Sequence, residues 1–243
     1  MTTYVLVPGS WIGAWAWRPV ERALRARGHD VHAMSLTGLA ERAHLARPET
    51  DLETHVADVV NLLRYEDLHD VVLVGHSYAG ASVTPVVADR VPERIARLVF
   101  VDTGPLPDGM SQAEFAPPDE QARNAELVAT HGDGWLLPPP PWAEVPALTP
   151  DAVALLTERA VPHPWAAATS PVRLTGAWEK LPRVGVMCSF TEAQIRAMVG
   201  TVPAFAHMTG PQWRYEELPT SHWPMLTKPA ELAEILDRAS GAY

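Results

Sequence analysis

Short apolar runs bounded by turn residues recur along the chain, and segments with helical spacing lie between them. That alternation is the pattern of parallel strands joined by crossover helices. The runs predict strands at Tyr4–Val7, Val31–Met34, Val71–Val74, Leu98–Val101, Val184–Cys188 and Arg214–Leu218. Near-continuous apolarity and β-branched content suit strands covered on both faces. Helices are expected at Pro19–Arg27, Leu52–Tyr65, Gly80–Arg90, Glu192–Val199 and Pro229–Ala239. Arg18-Pro19 and Lys228-Pro229 are start signals, and Thr50 or Asp51 can cap the second helix.

Between about Pro105 and Pro182 the alternation stops, and most of the prolines collect there, including Pro138–Pro141. A structureless loop of that length is improbable in a compact domain. The stretch predicts a helical insertion with helices at Asp119–Thr130 and Pro150–Val161 and with Trp135, Trp142, Trp165 and Trp178. The expected organisation is therefore an α/β core of residues 1–104 and 183–243 under a cap of residues 105–182.

Composition narrows the function. The 243 residues are 47% hydrophobic and 20% charged, as in an ordinary globular protein. Lys+Arg number 19 against 29 Asp+Glu, a net charge of −10, and the only lysines are Lys180 and Lys228. No basic run is present to replace the counterions of a nucleic acid. A single cysteine, Cys188, excludes an intrachain disulfide. The first residues lack the pattern of a signal peptide, so a cytoplasmic protein is expected. No apolar stretch approaches the roughly 18 residues of a membrane span. The ten histidines are scattered, without HExxH or CxxC, so no metal or other cofactor is expected.

The chemistry begins at Val71-Val72-Leu73-Val74-Gly75-His76-Ser77-Tyr78-Ala79-Gly80, an apolar strand entering a small-x-Ser-x-small turn and then a helix. This is the nucleophile-elbow pattern, with Ala79 where the second glycine of G-x-S-x-G usually stands. Acyl transfer also needs two backbone N–H donors aimed at the developing oxyanion, one after the nucleophile and one from the loop after the first strand. Tyr78 and Ser10 are the candidates. Trp11, beside that loop, is a candidate for lining the pocket, whereas Trp15 and Trp17 read as core. His222 follows the last strand in Pro219-Thr220-Ser221-His222-Trp223-Pro224, where a histidine can reach the elbow and serve as general base. His76, inside the elbow, reads as a packing or hydrogen-bonding residue.

These motifs resemble the α/β-hydrolase superfamily, in particular the branch of plant methylesterases, hydroxynitrile lyases and related small bacterial esterases. The resemblance rests on Gly9–Trp17, on Gly-His-Ser-Tyr-Ala-Gly at 75–80, on Val-Pro-Glu-Arg-Ile at 91–95 and on Ser-His-Trp-Pro-Met-Leu at 221–226. It implies a mostly parallel sheet of six or slightly more strands, helices on both faces and a helical cap. In that branch the lyases carry a threonine in the first loop and a lysine after the histidine. Here Gly9 and Trp223 stand there, which argues against a lyase. The branch usually has His-Gly in the first loop, where this chain has Pro8-Gly9.

The resemblance also implies a triad aspartate in a Cys-Thr-x-Asp pattern, but the chain reads Cys188-Ser189-Phe190-Thr191-Glu192-Ala193. Three readings stay open: Asp102, at the end of the strand after the elbow helix, is the acid; Glu192 is; or there is none. The expected activity is hydrolysis of a small apolar or aromatic carboxylic ester, with Ser77 as nucleophile, His222 as base and Asp102 as its orienter. Trp11, Trp135, Trp142 and Trp165 are expected to bind substrate. The alternatives are a lyase or cyclase using His222 as proton carrier, or a non-catalytic ligand-binding relative. A small-molecule ester is the expected partner, and the sequence leaves monomer and homodimer open.

Overall fold

A computed structural model of the chain describes residues 1–202, 205 and 207–241. Six parallel strands form the central sheet: β1 (Thr3–Val7), β2 (Asp30–Ala33), β3 (Val71–His76), β4 (Ile95–Val101), β7 (Arg183–Met187) and β8 (Trp213–Glu217). Their order is β2-β1-β3-β4-β7-β8. Two-residue strands β5 (Leu136–Leu137) and β6 (His163–Pro164) pair antiparallel outside it.

Side chains of a strand alternate between the faces of a sheet, and each face here has its own core. Val5, Val7, Leu73, Leu98 and Phe100 pack on one side, with helices α2 (Leu52–Tyr65) and α3 (Thr84–Arg90). Tyr4, Leu6, Val72, Val74 and Val99 pack on the other, with α1 (Ala14–Ala26) and the C-terminal helix Pro229–Ser240. Because β1 lies between β2 and β3, the chain reverses its winding there. The loop after β1 and the turn after β3 therefore leave the sheet on either side of one crevice, which is where open α/β sheets bind ligands.

Three expected elements differ. The first helix begins at Ala14 rather than Pro19, so Pro19 lies inside it and leaves Trp15 O without its helical donor. Burial of Trp15, Ala16, Trp17, Val20 and Leu24 on one face outweighs that defect. β4 starts at Ile95, three residues before the apolar run at Leu98, because Arg97 is itself a strand residue and largely buried. The helix expected at Gly80–Arg90 is a wide π turn over Ala79–Val83 followed by α3. Pro85 has no N–H to give to Ala81 O, and that carbonyl accepts from Leu106 N instead at 3.0 Å. The proline thus ties the elbow helix to the beginning of the 105–182 segment. That segment holds α4 (Gln112–Phe115), α5 (Pro118–His131), α6 (Pro150–Arg159) and α7 (Trp165–Thr169) as well as the β5–β6 pair. No helix among the described residues is long and apolar enough to cross a membrane.

Candidate active site

At the end of β3 the chain turns sharply at Ser77, whose φ of 50° lies in the left-handed region. A non-glycine residue held there is strained by of order 1–3 kcal/mol and persists because its surroundings fix it. The chain before and after the turn nearly touches. A Cβ on Gly75 would lie 2.6 Å from Gly80 Cα, and one on Gly80 would lie 2.7 Å from Gly75 O. The close approach thus falls on Gly80, and Ala79, where a second glycine usually stands, packs in the core.

Gly9, in the loop after β1, approaches the same turn from across the crevice. A Cβ there would stand 2.8 Å from His76 Nδ1 and 2.9 Å from Ser77 Cβ. Only glycine lets this loop lie against Ser77. Gly9→Ala is expected to reduce ester turnover by about 10²-fold through displacement of the loop, since shifts of an ångström at such sites carry losses of that order. Steady-state kinetics beside a thermal melt check this, and turnover within twofold of wild type would contradict it. On the other side, Tyr78 is buried and its phenol donates to His55 Nδ1 at 2.9 Å, while His55 Nε2 donates to Thr37 O at 2.8 Å. His163, from β6, packs edge-on to the Tyr78 ring with centroids 4.7 Å apart.

The two remaining members of the site come from β4 and from the loop after β8. Asp102 directly follows β4 with a φ of 51°, and its N–H donates to Val186 O of β7 at 2.8 Å. Its Oδ1 accepts from the amides of Cys188 and Ser189, both at 2.8 Å. Its Oδ2 accepts from Ser189 Oγ at 2.6 Å and lies 2.6 Å from His222 Nδ1. Burial alone would raise the carboxyl pKa, but the bonds from His222 and Ser189 outweigh it and hold the carboxyl below its ordinary value. A carboxylate that accepts from Nδ1–H leaves Nε2 of His222 bare, the form a general base requires. His222 is further held from its backbone: His76 Nε2 donates to His222 O at 2.7 Å. Glu192 is placed elsewhere. It opens helix α8 (Glu192–Met198), and its carboxylate accepts from Arg196 Nε at 2.8 Å.

His55, His76 and His163 are buried, and burial pushes all three below the ordinary histidine value, His76 to about 3 with help from the neighbouring His222. An unfolded chain protonates them near pH 6.5, so between that value and their folded values the unfolded state binds more protons. Stability should accordingly fall as pH drops below about 6.5, approaching about 1.4 kcal/mol per pH unit for each site. Urea unfolding between pH 8 and 5 measures this slope. His163→Phe should lower it by one site's share, and a flat profile would contradict the prediction.

Ser77 and His222 open into a cavity of about 580 Å³. Its walls include Leu106, Phe115, Phe190, Met198, Phe205 and Met208. Three of the chain's 4 phenylalanines are in that lining, and the rings of Phe115 and Phe190 both face Phe205 edge-on, at 6.2 and 6.4 Å. The expectation that tryptophans line the pocket is corrected. None of Trp11, Trp135, Trp142 and Trp165 is among the lining residues. Trp11 donates from Nε1 to Leu137 O and packs against Trp142, which packs in turn against Trp223, so these rings fasten the 105–182 segment to the core. The Trp135 carbonyl accepts from Trp165 N beside the β5–β6 pair. The sequence reading missed the phenylalanines. It also missed that the segment after β7, through Phe190, Met198 and Phe205, makes one side of the cavity. Among the described residues no group of three or more His, Cys, Asp or Glu side chains is placed to hold a metal ion.

A strand-elbow-helix whose serine lines one cavity with a histidine and a carboxylate, at the carboxyl ends of a parallel sheet, fits the α/β-hydrolase class. Comparison with known proteins agrees: the Alpha/beta hydrolase family matches residues 4–235, and the chain belongs to that family. The carbendazim hydrolyzing esterase of Nocardioides sp. (strain SG-4G) is 33% identical over 97% of this chain and 98% of its own length. Methylesterase 8 of Arabidopsis thaliana is 34% identical over 46% of this chain and 41% of its length. The solved structure of an extracellular alpha/beta-hydrolase from a Paenibacillus species, described as homologous in structure and function to tobacco salicylic acid binding protein 2, superposes with a TM-score of 0.84. It is 25% identical and covers 98% of this chain and 99% of its own. At the level of this family the chain is a carboxylic ester hydrolase acting on a small-molecule ester.

Proposed function

We propose that the chain cleaves a small apolar or aromatic carboxylic ester through an acyl-enzyme on Ser77. The observation that carries this reading is the 2.6 Å contact of Asp102 with His222 Nδ1 at the mouth of the cavity that Ser77 also lines. His222 Nε2 takes the Ser77 proton as Oγ attacks the ester carbonyl, and the oxygen that becomes negative is met by the N–H groups of Ser10 and Tyr78. Collapse of the tetrahedral adduct expels the alcohol, which leaves with the proton from His222. Water then attacks the acyl-serine, gives its proton to His222 and releases the acid, restoring Ser77. Asp102 keeps the proton on Nδ1 throughout and stabilises the imidazolium in both steps. The 105–182 segment acts as the cap: Phe115 and its neighbours close the cavity from above and, with Phe190 and Phe205, favour flat apolar groups.

Labelling by a fluorophosphonate together with turnover of p-nitrophenyl acetate and butyrate tests the reading. Both are expected, and both should disappear in Ser77→Ala. Labelling without turnover of any ester would instead favour the lyase or cyclase alternative, in which His222 carries a proton and no acyl-enzyme forms.

A further inference from the structure

The Ser77 amide is spent on Val101 O, so the N–H that the elbow offers to an oxyanion is that of Tyr78. Tyr78 stands between the left-handed turn at Ser77 and the wide π turn over Ala79–Val83, two uncommon conformations that need support from outside. Its own side chain reaches that support. The residue is 1% exposed and is not among those lining the cavity, so its ring is not a substrate contact. His55 joins its phenol to Thr37 O by bonds of 2.9 and 2.8 Å. Thr37 O can only accept, so neutral His55 carries its proton on Nε2 and accepts from the phenol at a bare Nδ1. Thr37 is fixed in turn: its N–H and hydroxyl donate to Asp58 at 2.6 and 2.9 Å, and Arg42 donates to the same carboxylate at 2.8 Å. His55 and Asp58 both belong to α2, so one helix ties the elbow to the loop after β2. His163 of β6 packs edge-on against both the Tyr78 and the His55 ring, and all three are buried, which strengthens the bond between phenol and imidazole.

We infer that His55 is a positioning residue for the reaction: through the Tyr78 phenol it holds the Tyr78 N–H on the developing oxyanion. This rests on the acyl-enzyme reading above and adds to it a group that never touches the substrate. A Tyr78 side chain released from His55 leaves the backbone of the elbow free to shift about Ser77, and the N–H shifts with it. An oxyanion donor acts only as charge develops, and removing one costs about 10²- to 10³-fold in kcat. A donor that is present but loosely aimed forfeits part of that factor. The ground-state ester makes no such demand on the donor and binds as before.

The test compares His55→Leu, Tyr78→Phe and the double variant with wild type, using p-nitrophenyl butyrate for turnover and 2,2,2-trifluoroacetophenone as inhibitor. Addition of Ser77 Oγ to that ketone turns its carbonyl oxygen into an oxyanion, so its Ki reads the donors directly. Each single variant is expected to lower kcat by about tenfold to a hundredfold with KM within about twofold, and to raise Ki by the same factor as the loss in kcat. The double variant leaves neither partner buried and unpaired, so it should regain thermal stability and still keep the low kcat. It carries the test if a single variant fails to fold. Leu63→Val, two turns along α2 in the same core, controls for stability: its melting temperature should fall while kcat and Ki stay within twofold of wild type. The inference is overturned if the variants at His55 and Tyr78 keep kcat and Ki within twofold, if KM alone changes, or if Leu63→Val loses as much kcat as they do. If wild type itself neither cleaves p-nitrophenyl esters nor binds the ketone, the esterase reading fails and the inference falls with it. A wild type that does both, matched by its variants, overturns the inference alone.

Discussion

Replacing Ser77 by alanine is expected to lower kcat for any ester by about 10⁴- to 10⁶-fold, because a proton acceptor and an oxyanion site without a nucleophile leave only the residual catalysis of binding and electrostatics. The fold should barely register the change. Ser77 donates from its N–H to Val101 O and accepts at its carbonyl from Ala81 N, and both bonds belong to the backbone. Alanine carries the same Cβ into the left-handed conformation, so the strain at φ 50° is common to both proteins. The melting temperature is therefore expected to stay within about 2 °C of wild type, a difference below 1 kcal/mol for a chain of this size. Burst kinetics with a p-nitrophenyl ester give the sharper readout: wild type should release an initial stoichiometric amount of phenolate if deacylation is slow, and Ser77→Ala none. Retention of more than a hundredth of wild-type turnover in Ser77→Ala would remove Ser77 from the mechanism.

How far the sequence alone reaches differs from part to part, for physical reasons. β3 is buried along its whole length, and such a strand writes itself into the chain as an unbroken apolar run. The same holds for β1 after its first residue. The turn at Ser77 is legible because two glycines flank it, although their close approach to one another is a fact of three dimensions. Asp102 is different. Its sequence surroundings are those of any turn aspartate, and strand order is what sets it beside His222. With β4 between β3 and β7, the carboxyl end of β4 has the elbow on one side and the amides of Cys188 and Ser189 on the other. The loop that begins at Cys188 thus donates to the Asp102 carboxylate. The lining of the cavity was the least legible. Tryptophans are conspicuous in the 105–182 segment, but their large apolar surfaces are spent joining that segment to the core, as Trp142 does between Trp11 and Trp223. Phe115, Phe190 and Phe205 come from distant segments that no period connects, and only the closed fold sets them round one cavity.

The carboxylate arrangement leads to the second large effect. Asp102→Asn is expected to lower kcat about 10⁴-fold while leaving KM within a few fold, the loss that follows when a base histidine is held in the wrong tautomer. The amide oxygen of the asparagine can keep the bonds from Cys188 N and Ser189 N that Asp102 Oδ1 accepts, which places its NH₂ group where Oδ2 lies beside His222 Nδ1 and Ser189 Oγ. The Ser189 hydroxyl can turn to accept from that NH₂. The imidazole cannot adapt without cost: to avoid two opposed donors it must leave Nδ1 bare and carry its proton on Nε2, where the proton of Ser77 has to arrive. The same substitution has a signature in stability. The Asp102 carboxyl lies below its ordinary value when folded, so its contribution is complete above the unfolded value of about 3.9 and is lost as pH falls through the folded value. Below pH 4 wild type should lose this increment and Asp102→Asn should have none to lose, so their acid unfolding curves converge. Ser189→Ala, which removes one donor to Oδ2 and leaves the charge, should cost far less in kcat, of order tenfold, and move acid unfolding to higher pH. A kcat for Asp102→Asn within tenfold of wild type would show that His222 works without this carboxylate. Glu192→Gln would then be the next variant to measure, and the bond of Glu192 to Arg196 predicts that it changes kcat by less than about twofold.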